Sequence, residues 1–179
     1  MADRLFEPEV SRSLQWLSDW YRKPVALAIE CKRCTTSATL PLDQVKPHQL
    51  EELIAFEKQP LVKKLPVAAP VGSSERRFHG KSEFDFIFVG PGKSYVLVNF
   101  RFTKKAPRKD IPKGLNKCFA LTPTQYLEAV KYCEGVGRKS IPIEWFQENV
   151  LELERVRYES GYGWDLSPLV KGADLTKVI

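Results

Sequence analysis

The sequence predicts an α/β or α+β domain in which a mixed sheet is flanked by helices. Three observations lead there. Segments with helical and strand-like patterns follow one another in the order helix, strand, loop, helix, strand. The strand candidates are short apolar runs bounded by proline, glycine and polar clusters, the mark of buried strands. The chain has 179 residues, 43% of them hydrophobic, which is the size of one ordinary domain with a core of its own. One domain over residues 1–179 is therefore expected.

The elements follow in order. In FEPEVSRSLQWLSDWY, Val10, Leu14, Leu17 and Tyr21 recur at spacings of four, three and four, so a first amphipathic helix is expected over residues 7–17, with Pro8 in its first turn. Pro24 stops it, and VALAIEC reads as a buried strand. TTSATLPLDQVKP is loop, and a second helix starts at Pro47, carrying Leu50, Leu53, Ile54 and Glu57. The texture then changes to KKLPVAAPVGSSERRFHGK, a basic surface excursion near residues 62–81. FDFIFV and SYVLVNFRF, separated by GPGK, predict a hairpin. A second basic loop near residues 103–117 leads to a short strand CFAL and to a helix from Thr122 or Pro123 to about Cys133. GRKSIPIEWFQEN follows, and YGWDLSPLVKG is expected to be irregular.

The formal charge is +6, spread along the chain and mixed with 22 acidic residues, which permits a nucleic-acid partner without an unstructured basic tail. No apolar run reaches the roughly 18 to 20 residues of a membrane helix, and MADRLFEPEV is acidic where a secretory signal is apolar. A cytoplasmic protein without a membrane partner is expected. Cys31, Cys34, Cys118 and Cys133 read as reduced thiols; Cys31 and Cys34 form a CxxC, but the other two supply no second zinc knuckle. GPGKS lacks the first glycine of a phosphate loop, since position 87 is Ile, and a strand follows where a helix N-terminus is needed. His48 and His79 are isolated, and Trp16, Trp20, Trp145 and Trp164 read as core or interface aromatics.

One pair of charges stands out. Alternate residues of a strand share a face, so Glu30 and Lys32 project to the same side at the end of the apolar run. ExK by itself is a weak signal, and an ion pair at a sheet edge accounts for it. The chemistry that wants this arrangement is metal-assisted phosphodiester hydrolysis, in which carboxylates hold Mg²⁺ and a lysine orients the nucleophile or stabilises the developing charge. A second carboxylate is then required, and Asp19 and Glu7 are candidates.

FEPEVSRSL, SDWYRKPVALAIECKRCTTSATLPLDQVKPHQLEEL, VLVNFRFT and GRKSIPIEWF resemble, in order, segments of RecU-type Holliday junction resolvases of the PD-(D/E)xK nuclease superfamily. The resemblance covers most of the chain in pieces, and its series ECK, LPL, Gln, GRKSIP is more specific than ExK. It implies a restriction-endonuclease-like core, Mg²⁺ with Mn²⁺ as a substitute, a four-way DNA junction as substrate and a homodimer. By position, Glu7 resembles the acidic residue of helix one, Asp19 the metal-binding aspartate, Glu30 the central metal ligand, Lys32 the catalytic lysine and Gln49 the supporting glutamine of the next helix. The family inserts strands, and in bacterial members a junction-probing stalk, between helix one and the aspartate; here only a turn or two separates them. Asp19 is therefore expected at a helix end, and Asp85, on a strand candidate, is its rival for the second ligand position. The basic loops near 62–81 and 103–117, the latter with Lys104, Lys105, Arg108 and Lys109, are expected to contact DNA in place of the stalk.

Overall fold

The computed structural model describes residues 6–20, 27–58, 63–66, 84–88, 92–103 and 107–171, and the side chains of these except residues 15–20, 63–66, 84–88 and 171. In chain order the elements are α1 (Phe6–Trp20), β1 (Leu27–Cys34), β2 (Thr39–Pro41), α2 (Pro47–Lys58), β3 (Lys63–Pro66), β4 (Phe84–Phe88), β5 (Lys93–Arg101) and β6 (Asn116–Leu121). Then come α3 (Pro123–Gly135), β7 (Ser140–Pro142), α4 (Ile143–Asn149), β8 (Leu151–Leu153), β9 (Arg155–Tyr158), β10 (Gly161–Trp164) and α5 (Ser167–Lys171).

The fold is mixed α/β, as expected. A four-stranded mixed sheet has the order β1-β5-β6-β8. Strand β1 runs parallel to β5, from Leu27 opposite Lys93 to Cys34 opposite Phe100, while β5–β6 and β6–β8 are antiparallel. Parallel neighbours need a long crossover, and the segment carrying α2 supplies it. Three two-stranded ladders join β2 to β7, β3 to β4 and β9 to β10.

Three expectations differ from the structure, the first being TTSATLPLDQVKP, expected as loop, which holds β2 because Leu40 is buried against Ile141 of β7. Strands β4 and β5 do not form a hairpin: β4 pairs with β3, and β5 lies between β1 and β6. The physical reason is burial. Every residue of β5 from Ser94 to Phe100 is buried, so both faces are covered and both backbone edges are paired, which one partner strand cannot achieve. The C-terminal segment is not irregular either. It holds most of β10 and α5; β10 pairs with β9 across a two-residue turn and starts at Gly161, whose φ of +126° lies where side chains are rarely tolerated.

Helix ends follow local chemistry. Thr122 and Gln125 form a capping box at the start of α3, with Pro123 in the first position. Its end is a Schellman turn: Gly137, at φ +67°, donates to the Glu134 carbonyl and Arg138 to that of Cys133.

The sheet has a core on each face. On one side Val96, Val98, Phe100, Phe119 and Leu121 pack with Leu53 of α2, Tyr126 and Ala129 of α3, and Phe146 of α4. On the other, Tyr95, Leu97, Cys118 and Ala120 pack with Phe6 and Val10 of α1, Trp164 of β10 and Leu169 of α5. Trp164 is thus a core aromatic, and Trp145 packs at the rim of the first core. Cys31 and Cys34, three residues apart on one strand, point to opposite faces, and all four cysteines are free thiols, so the CxxC is not a zinc knuckle. Among the described residues no helix is long and apolar enough to cross a membrane.

Phe100 sits at the centre of the first core, with ring centroids 5.3 Å from Phe146, 6.0 Å from Phe119 and 6.5 Å from Phe102. Truncating it leaves a cavity in a close-packed interior. Phe100→Ala is expected to lower unfolding free energy by about 3–5 kcal/mol in a urea titration; a loss under about 1 kcal/mol would contradict this packing.

Candidate active site

The site is built by the end of β1 and the start of α2. Strand alternation sets Ala28, Glu30, Lys32 and Cys34 on the face covered by α2, and Leu27, Ile29 and Cys31 on the face covered by α1. Because β1 is at the edge of the sheet, its α2 face tolerates charge where the central β5 does not. Lys32 Nζ lies 2.7 Å from Glu30 Oε1, with the Lys32 side chain 12% exposed and that of Glu30 26% exposed.

Gln49 joins them. Its Nε2 donates to Glu30 Oε1 at 3.0 Å, and its Oε1 accepts from Lys32 Nζ at 3.3 Å and from the backbone N–H of Lys46 at 3.0 Å. The last bond is half of a capping box, in which the third helical residue reaches back to the residue before the helix. The far end of α2 is fixed as well. Glu57 Oε1 accepts from the backbone N–H of Ser94 at 3.2 Å and from its hydroxyl at 2.8 Å. Lys32 and Gln49 both meet Glu30 at Oε1, so Oε2 is the oxygen that could meet a cation.

The other expected residues fall as follows. Glu7 is exposed on α1, the helix covering the opposite face of β1. Burial, then the Glu7 carboxylate, then that of Glu30 push the Cys31 thiol from the usual 9.0 up to about 12; α1 packs on the face of β1 opposite the Glu30 side chain. Asp19 lies in the last turn of α1, and its side chain is outside those described. Asp85 lies on β4, whose ladder partner is β3, and its side chain is likewise outside those described. Among the described residues no three His, Cys, Asp or Glu side chains converge as a metal site.

The basic loops were expected to face DNA. Residues 67–83 and 104–106, which include His79, Lys104 and Lys105, lie outside the described residues. Arg108 is engaged by Glu144 and, at 3.1 Å, by Asp110, and Lys117 pairs with Glu152 at 2.8 Å. Lys109 and Lys113 are exposed. Much of the described positive charge of this loop is therefore offset locally.

Sequence reasoning missed Glu9, buried on α1. The signal was present: Phe6, Glu9, Val10 and Ser13 fall on one helical stripe, so a carboxylate shares the core-facing side. It also missed Glu57 as the anchor of α2, for which nothing local gives a cue.

Comparison with protein-family models, with curated proteins and with solved structures finds no match for this chain.

Burial also pushes the Cys34 thiol up to about 12. Since both folded thiols hold their protons above the unfolded value of 9.0, they support the fold fully below pH 9, and that contribution is lost as the pH rises towards 12. Native protein at pH 8 is expected to be alkylated at Cys31 and Cys34 more slowly than urea-unfolded protein, by at least about tenfold, read by peptide mass spectrometry. Comparable rates in the two states would contradict the burial of these thiols.

Proposed function

We propose that the chain is an Mg²⁺-dependent endonuclease of the PD-(D/E)xK type that cuts four-way DNA junctions in recombination and repair, with Mn²⁺ able to replace Mg²⁺. One observation carries the reading: an ammonium from β1 and a side-chain amide from α2 converge on one oxygen of a half-buried carboxylate, Glu30. An ion pair that merely decorates a sheet edge needs no third group locked by a helix cap. The mixed sheet flanked by helices and the net positive charge of +6 agree with the reading.

The residues fit such a metal in part. A hard cation takes carboxylate oxygens and keeps several waters, and Glu30 Oε2 meets that need. The second carboxylate is assigned to Asp19, one short segment before β1, and in second place to Asp85. Bound Mg²⁺ supplies charge neutralisation at the phosphate and a water of lowered pKa. Lys32 presents its ammonium at the same strand face, where it stabilises charge developing on the scissile phosphate. For that it exchanges the Glu30 oxygen for a phosphate oxygen. Gln49 is a positioning residue that keeps Glu30 and Lys32 in register during that exchange. Glu7 lies on the helix across the strand from Glu30, and no step is assigned to it. A two-fold junction is nicked on two strands, which calls for a homodimer with one site per protomer.

The test is cleavage of a labelled synthetic junction beside a linear duplex of the same sequence, with and without Mg²⁺. Metal-dependent nicks confined to the junction are expected. Glu30→Gln and Lys32→Ala are each expected to lower the rate at least about 100-fold while leaving junction binding nearly intact. Asp19→Asn should remove cleavage and Asp85→Asn leave most of it. The reverse pattern transfers the second ligand to Asp85, and junction binding with no cleavage by the wild type contradicts the enzyme and leaves a DNA-binding module on the same scaffold.

A further inference from the structure

The face opposite the Glu30 site carries an arginine cluster that neither the motifs nor the proposed chemistry uses. Strand β9 alternates exposed Arg155 and Arg157 with half-buried Val156 and Tyr158. Arg157 is opposite Tyr162 in the ladder, so the two share a face of the hairpin. The Tyr162 ring, 47% exposed, has the guanidinium of Arg155 4.4 Å from its centroid and that of Arg157 6.0 Å away. Arg12 of α1 joins them, its Nε donating to the Tyr162 carbonyl at 2.9 Å.

This cluster is held, not loose. Trp164 N–H donates to Ser13 Oγ at 2.7 Å, and Ser13 Oγ donates to the Glu9 carbonyl at 2.9 Å, which seats β10 on α1. The approach is so close that a Cβ at Gly163 would lie 2.5 Å from Ser13 Oγ and 3.0 Å from the Glu9 carbonyl oxygen. Beneath, the Glu9 carboxylate, 5% exposed, has Arg101 Nη1 and Arg155 Nη2 each 3.6 Å from the same oxygen. At that distance the charges pair but the guanidinium donors are not bound to the carboxylate. The buried acid thus pairs with two of the four arginines, Arg101 and Arg155, while Arg12 and Arg157 are held against Tyr162, and the acids adjoining the hairpin strand in sequence are Glu154 and Glu159.

We propose that α1 and the β9–β10 hairpin form a docking surface for the sugar-phosphate backbone of DNA, with Arg12, Arg155 and Arg157 as the phosphate contacts. The choice of DNA among polyanions rests on the nuclease reading above. Guanidinium forks match phosphate oxygens in pairs, and stacking on a fixed ring removes rotamer freedom before the ligand arrives. Arg155 and Arg157 are two strand residues apart, roughly 6.8 Å, which is close to the separation of successive phosphates on one nucleic-acid strand. The contacts are to backbone alone, so they position DNA without reading sequence or branching.

The test is the salt dependence of binding by the full chain to a labelled four-way junction and to a linear duplex. Arg12→Gln with Arg157→Gln avoids Arg155, whose loss would strand Glu9. The slope of log affinity against log salt is expected to become shallower by about 1.8, two contacts at ~0.9 each, on both DNAs. Arg12→Lys with Arg157→Lys should keep most of the slope, which separates lost charge from lost folding. Lys58→Gln with Lys131→Gln, two exposed cations on other helices with the same change in net charge, should leave it nearly unchanged. An unchanged slope in the arginine variant, or an equal loss in the lysine control, overturns the docking surface and leaves the nuclease reading standing. Wild-type protein that binds neither DNA overturns both. Equally tight binding to polyglutamate, lost in the same variant, would overturn the proposal in favour of an acidic protein partner.

Discussion

The side-chain amide of Gln49 is the constraint on which the arrangement depends. Its carbonyl oxygen faces two donors, the Lys46 N–H and the Lys32 ammonium, and its NH₂ faces the Glu30 carboxylate. The reverse orientation would set NH₂ against two donors and a carbonyl against a carboxylate, so only one orientation satisfies all three neighbours. The bond that caps α2 is therefore also the bond that fixes the site. Gln49, Leu53 and Glu57 fall at four-residue intervals on one face of α2, with Leu53 buried between the two polar anchors. The helix is thereby tied at one end to β1 and at the other to the start of β5, and the two parallel strands are held in one relation to it.

The position of β1 at the sheet edge explains why charge is tolerated there. The central β5 is covered on both faces and carries an aromatic core, whereas β1 is half-exposed along most of its length. Its two faces carry different groups. The α2 face holds the Glu30–Lys32 pair, and the α1 face leads to the arginines seated by Glu9, Ser13 and Gly163. Chemistry and backbone docking would then be assigned to opposite sides of one strand.

Much of this was legible in the sequence, and the reasons are local. Period-two alternation put Glu30 and Lys32 on one face, and Pro47 followed by a glutamine announced the start of α2. Thr122, Pro123 and Gln125 announced α3 in the same way. What local pattern does not encode is which strands meet. FDFIFV and SYVLVNFRF looked like a hairpin because they are adjacent in sequence, yet the burial demands of β5 are met by β1 and β6. The β9–β10 hairpin escaped notice because its strands are four residues each and its inward side is a glycine against a serine. Glu9 escaped because a charged residue on an apolar stripe is discounted unless its partners, here on β5 and β9, are known.

Glu30, held by Lys32 and Gln49, is proposed as a metal ligand in a phosphodiesterase centre. The most direct measurement is a Mn²⁺ titration followed by electron paramagnetic resonance, on the full chain bound to a four-way junction that resists hydrolysis. One bound Mn²⁺ per chain is expected for the wild type, with loss of that site in Glu30→Gln. Equal Mn²⁺ binding by the two proteins would contradict the assignment of Glu30.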